Sequence, residues 1–117
     1  MRDRRAAERQ GREGEAKAAW FLRTKGWRIL DQRVRTAAGE VDLVARRGNL
    51  VAFVEVKTRK SAAELDFAID ERRLARVAAA AEMLMPRYAG PGDDVRIDVV
   101  LIAPRCWPRH IENAWIG

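Results

Sequence analysis

Three acids and one amine stand where ordinary surface charges do not belong. Glu55 and Lys57 interrupt Leu50-Val51-Ala52-Phe53-Val54-Glu55-Val56-Lys57, a run that is apolar on both faces until Glu55. If this run is a strand, the i, i+2 spacing puts both side chains on one face. A buried carboxylate and a buried ammonium each cost several kcal/mol unless paired or bound to a metal or ligand. Asp42 interrupts a second apolar segment, Val41-Asp42-Leu43-Val44, and Glu15 shares a helical face with Ala18, Ala19 and Leu22. Carboxylate oxygens suit hard cations such as Mg²⁺ or Mn²⁺. With such an ion holding a phosphate and a water, the lysine could orient or deprotonate that water, or stabilise the developing charge. That is equipment for metal-dependent phosphodiester hydrolysis. A buried Glu55–Lys57 or Asp42–Lys57 ion pair without chemistry is the plain alternative.

The elements that must position these groups follow from pattern. Gln10 to Lys25 reads as a helix, with Gly26 as its C-terminal stop. Residues 1–9 are polar and arginine-rich and are expected to fray. Trp27 to Val34 reads as a first strand, Ala37-Ala38-Gly39 as a turn, and Glu40 to Ala45 as a second strand. Arg46 to Asn49 forms a turn and Leu50 to Thr58 the central strand of a hairpin. A two- or four-residue loop around Arg47-Gly48 predicts paired positions summing to 95, with Asp42 opposite Phe53 and diagonal to Glu55. Asp42, Glu55 and Lys57 then share one face, whereas a three-residue loop would turn Asp42 away.

Lys60 to Asp66 is loop-like. Asp70 is a natural N-cap for a helix to Met85, with a core stripe of Leu74, Val77, Ala78, Ala81, Leu84 and Met85, ended by Pro86. Ala89 to Gly92 is a loop, Val95 to Ile102 a buried strand and Arg109 to Ile116 a short edge strand. The order α-β-β-β-α-β-β predicts an α/β domain, a mixed sheet with helices packed on it.

The chain has 117 residues, 48% hydrophobic and 34% charged, the make-up of one globular domain. No apolar run approaches the ~20 residues of a membrane span, and no apolar stretch follows Met1-Arg2-Asp3-Arg4-Arg5 as a secretory leader would require. One cysteine, Cys106, cannot form an internal disulfide, and one histidine, His110, leaves no material for a His-based metal site. A reducing, cytoplasmic setting is expected. The net charge of +6 is localised: residues 1–35 hold 11 basic and 5 acidic groups, and residues 36–117 hold 12 of each. A basic field confined to one third of the chain suits a polyanion such as nucleic acid, although a solvated helix face would look the same. Trp20, Trp27, Trp107 and Trp115 could stack on bases, but core or interface positions are the commoner use of such residues. Asp98, beside Arg96 in an apolar strand, suits a structural pairing.

At these residues the sequence resembles a known family. Gly14-Glu15 with Ala18 and Leu22, Gly26, Gly39-Glu40-Val41-Asp42-Leu43-Val44, Phe53-Val54-Glu55-Val56-Lys57-Thr58-Arg59 and Arg96-Ile97-Asp98-Val99-Val100 resemble the YraN-like family of uncharacterised bacterial proteins, from about Arg12 to the C-terminus. That family looks like a member of the restriction-endonuclease-like superfamily and is similar to archaeal Holliday-junction resolvases. The resemblance implies an αβββαβ core and a Mg²⁺- or Mn²⁺-dependent nuclease acting on DNA, including branched DNA. It implies Asp42, Glu55 and Glu15 as metal-site acids and Lys57 as the catalytic lysine. Glu40 matches a family motif position without an assigned role; if the strand alternates, it lies on the same face as Asp42, at the edge of the site. Arg73 stands where the family carries a lysine near the start of the second helix, which leaves it a binding role only. Arg59 and Lys60 are further candidates for nucleic-acid backbone contacts. Val41 stands where the superfamily carries the proline that gives it its name, a proline the family itself usually lacks. The competing expectations are a nucleic-acid-binding module that cuts nothing without a partner protein, and an ionic cluster that only fixes the fold. So small a domain is compatible with a homodimer.

Overall fold

A computed structural model describes residues 4–65 and 69–115. The elements are α1 (Arg4–Thr24), β1 (Arg28–Thr36), β2 (Gly39–Arg47), β3 (Leu50–Thr58), α2 (Ala62–Leu65), α3 (Glu71–Tyr88), β4 (Asp94–Ile102) and β5 (Arg109–Ile111). They build the expected α/β architecture, one five-stranded sheet in the order β1-β2-β3-β4-β5. All neighbours pair antiparallel except β3 and β4, which run parallel and are joined through α2 and α3. A parallel pair needs such a crossover.

The two long helices cover opposite faces. Ala18, Ala19, Phe21 and Leu22 of α1 pack with Leu43, Ala45, Ala52, Val54, Val100 and Ile102. Leu74, Val77, Ala80, Ala81 and Leu84 of α3 pack with Val44, Val51, Phe53, Val99 and Leu101. Strand β3 is therefore buried on both sides, as its unbroken apolar run predicts.

Several sequence expectations need correction. The helix begins at Arg4, so residues 4–9 are helical rather than frayed; residues 1–3 lie outside the described residues. The segment expected to be all loop from Lys60 to Asp66 contains the short α2, and Asp66 itself lies outside the described residues. Pro86 does not end α3, which runs to Tyr88 with the Ala89 N–H donating to the Met85 carbonyl. In the last turn a proline forfeits a single intrahelical hydrogen bond. Ala80, rather than Met85, completes the buried stripe of α3. The last strand stops at Ile111, short of Ile116.

The hairpin register is shifted by two. Val44 faces Phe53 and Arg47 faces Leu50, so the loop is Gly48-Asn49 and pairs sum to 97 instead of 95. Gly48 takes φ +63° at the first loop position, a conformation glycine adopts without strain. Because the shift is even, the paired residues Leu43 to Arg47 keep their expected faces.

Candidate active site

The site forms where β2 and β3 part. Their ladder runs from Arg47–Leu50 to Leu43–Val54 and stops there. At the next position Asp42 substitutes its side chain for the main chain: Oδ2 accepts from the Val56 N–H at 2.7 Å. On the register of the hairpin, Asp42 lies opposite Glu55, the directly facing residue rather than the diagonal one.

Glu55 is 1% exposed and sits at the C-terminal end of the parallel pair. Its Oε1 takes the Arg73 Nε at 3.0 Å and lies 3.4 Å from the Lys57 Nζ. Among the described residues, its buried Oε2 has no hydrogen-bond partner. A buried carboxylate oxygen without a donor is costly, and natural proteins keep few such groups. Asp42 is half-buried, and its carboxyl is pushed up to about 7. Burial is the main cause and the Glu55 charge the second, with a smaller push from Glu15; the Val56 N–H and Arg73 oppose the rise. Two carboxylates that repel one another, one with an orphaned oxygen, form a donor set that fits a divalent cation.

Glu15 reaches the site from the other face of the sheet. Gly14 makes that approach possible, because a Cβ built there would collide with the Thr58 hydroxyl. The Glu15 carboxylate accepts from the Arg33 Nε at 2.8 and 3.1 Å through its two oxygens. Arg33 lies within β1 with φ +53°, a left-handed conformation disfavoured for a side chain of its kind. Among the described residues, no three Asp, Glu, His or Cys side chains are gathered into a metal-holding group. The expected three-carboxylate set is thus drawn as an adjoining pair, Asp42 and Glu55, with Glu15 held aside by Arg33.

The remaining candidates divide. Arg73, exposed at its tip, is held by Glu55, whose charge is the main cause of its raised pKa. It projects from the first turn of α3, whose N-cap is Asp70, with Oδ1 accepting from the Arg72 N–H at 2.9 Å. Arg59 bonds the adjacent Thr58 carbonyl at 2.8 Å, and the Lys60 N–H donates to Glu64. Both stand just past β3, beside the site but outside its cluster. Glu40 is exposed and pairs with Arg35 at 3.3 Å. It lines an open groove of about 380 Å³ together with Arg12, Glu15 and Arg33. Arg33 escaped the sequence reading; nothing in Gln32-Arg33-Val34 marks it, and only its strained backbone now singles it out.

A family model described as "Uncharacterised protein family UPF0102" matches residues 14–102. A UPF0102 protein of Erythrobacter litoralis is 66% identical over 112 residues, 96% of this chain and 97% of that protein. A UPF0102 protein of Rhizorhabdus wittichii is 62% identical over 117 residues, 100% of this chain and 99% of its own length. Among solved structures, the Archaeoglobus fulgidus Hjc, a Holliday junction resolvase, superposes with a TM-score of 0.55 at 22% identity, covering 87% of this chain and 71% of that one. At that identity the likeness is one of fold. Among the described residues, no helix is long and apolar enough to cross a membrane.

Proposed function

The chain belongs to the UPF0102 family, and from that premise we propose that it is a metal-dependent nuclease that hydrolyses phosphodiester bonds in DNA, with branched or structured DNA as its substrate. The observation that carries this reading is the Glu55 Oε2, which has no partner among the described residues while Lys57 and Arg73 both sit on Glu55 Oε1. Such an arrangement is costly for a structural ion pair and useful for an ion-binding one. The shared fold of a Holliday junction resolvase supports the choice of substrate class.

In this reading Asp42 and Glu55 hold Mg²⁺ or Mn²⁺. When bound, the ion polarises the phosphate and lowers the pKa of a bound water. Lys57 orients the attacking water and offsets charge that develops on the phosphate. Arg73 leaves its contact with Glu55 for a phosphate oxygen, which a planar guanidinium can grip bidentately. Glu15 acts from the helix as the third acid, adding negative charge to the site and fixing Arg33 at the mouth of the groove. Arg59 and Lys60 contact the DNA backbone beyond β3. Two copies on one branched substrate would enlarge a small footprint.

The test is cleavage of single strands, duplexes, flaps and four-way junctions by the purified protein with Mg²⁺ or Mn²⁺. We expect cutting of a structured substrate and its loss in Asp42→Ala and Lys57→Ala. Intact substrates of every form would overturn the reading. A second reading is a nucleic-acid-binding module that needs a partner protein to cut. It is favoured by the way Lys57 and Arg73 already neutralise Glu55. It requires salt-dependent binding that Asp42→Ala leaves unchanged.

A further inference from the structure

Two aromatic side chains stand exposed on the α1 face of the sheet. Trp20 is 52% and Trp107 71% exposed, and both are large apolar groups left in water. They come from distant parts of the chain, yet their rings meet edge to face with centroids 5.9 Å apart. The buried Phe21 ring supports Trp107 from beneath, also at 5.9 Å. Trp107 is presented by the connection between β4 and β5, which is bent by Arg105 at φ +61°. Core packing explains Phe21 but not the two rings above it.

Their surroundings are basic and lead back to the proposed site. Where α1 meets the end of β3 lies a small cavity of about 120 Å³ lined by Lys17, Thr58, Arg59 and Pro104, with Glu13 as the one acid among its described lining residues. On α1 the order is Glu15, Lys17, Trp20; on the strand side, Thr58 and Arg59 directly follow Lys57. On the β4 side, Ile102 and Pro104 lead to Trp107. Two elements, α1 with Lys17 and the end of β3 with Arg59, thus contribute cations to this cavity. Strand β5 lies two strands from β3, about 10 Å away. Lys17, Arg23 and Arg105 are exposed around the rings. An isologous contact between two copies through this patch would bring the same cations together, which argues against a second copy as its occupant.

We propose that Trp20 and Trp107 form a stacking platform for unpaired bases of a DNA strand, with Lys17 and Arg59 on the phosphates that connect it to the site. Aromatic faces accept any base, and cations beside them follow the backbone. A strand leaving a junction or flap offers both. The placement of the scissile phosphate rests on the nuclease reading; the platform itself does not.

The experiment is fluorescence anisotropy of a labelled dT12 and of a 12-base-pair duplex with the full chain in EDTA, where nothing can be cut. Trp20→Ala with Trp107→Ala should weaken dT12 binding about tenfold or more and duplex binding less than about twofold. Trp107→Phe should restore most of the loss. Lys17→Ala with Arg59→Ala should weaken both ligands and reduce the salt slope by about 1.4 on the single strand. Unchanged dT12 binding in the double tryptophan variant, or an equal loss on both ligands, would overturn the platform. A matched U12 RNA that binds more tightly than dT12 would overturn the assignment to DNA. A change in sedimentation on removing the tryptophans would reassign the patch to contacts between copies. A platform that binds in a protein that never cuts would sink only the nuclease reading.

Discussion

The sheet buries two acidic centres, and they are built on opposite terms. Asp98, 0% exposed on β4, has donors on both oxygens: Arg96 at 2.8 and 2.9 Å, the Asn113 N–H at 2.9 Å and His110 Nε2 at 2.7 Å. His110 Nδ1 lies 2.6 Å from the Lys25 Nζ. An ammonium has no lone pair to offer, so Nδ1 accepts and Nε2 donates to Asp98. Burial raises the Asp98 pKa most, but the hydrogen bonds from His110, Arg96 and Asn113 together outweigh it, and the net direction is down. At Asp42 burial wins, reinforced by Glu55, and the net direction is up. One centre is closed and satisfied, while the other keeps an oxygen unpartnered. The difference teaches that a buried charge is read by what its environment leaves unfilled, not by burial itself.

The comparison breaks most visibly on activity. Asp42→Ala or Lys57→Ala should lower cleavage at least about a hundredfold, and Lys57→Ala, which takes one cation from buried Glu55, should also lower the thermal midpoint. Asp98→Asn, assayed where it is still folded, should cut at close to the original rate. If both classes of variant lose activity together, the two centres are not functionally distinct. Stability should split the other way. Asp98→Ala leaves Arg96 and His110 without their partner and should cost about 3–5 kcal/mol, read by urea denaturation. Asp42→Asn should be neutral or stabilising in metal-free protein, because it removes the repulsion with Glu55.

The pH dependence sharpens the contrast. Folded Asp42 holds its proton up to about pH 7 against an ordinary value of 3.8. Its contribution is therefore fully present below about pH 4 and is lost as pH rises toward 7. Asp98, shifted down, contributes above pH 3.8 and loses that contribution as pH falls through its folded value. Metal-free protein should be most stable in mildly acidic solution and lose roughly 2–4 kcal/mol of the Asp42 contribution by neutral pH. Asp42→Asn should flatten the curve between pH 4 and 7 and leave the acid limb intact. Metal reads out on melting: Mn²⁺ in hundredfold excess over its Kd should add about 2.7 kcal/mol to the original chain, and much less to Asp42→Asn.

Much of this arrangement was legible in the residues. A Glu-x-Lys pair inside an apolar run could only be a two-sided strand carrying a site or an ion pair. Asp70 and Gly26 marked helix ends because each answers a local need, a backbone donor and a positive φ. The faces of the paired residues Leu43 to Arg47 were legible although their partners were not, since parity survives a two-residue shift in register. The rest depended on tertiary geometry. The opposite placement of α1 and α3 brings Glu15 and Arg73 toward the site from opposite sides of the sheet, and helical periodicity does not say which face a helix takes. Arg33 reaches Glu15 only through a backbone conformation that no local signal announces. His110 meets Asp98 and Lys25 across 12 and 85 positions, beyond any pattern of spacing.

The most direct measurement is anomalous diffraction from crystals grown in Mn²⁺. The account predicts one strong peak within bonding distance of both Asp42 and Glu55, with Glu55 Oε2 among its ligands. A map with no peak there, or with manganese bound only at the Glu15–Arg33 groove, would contradict it.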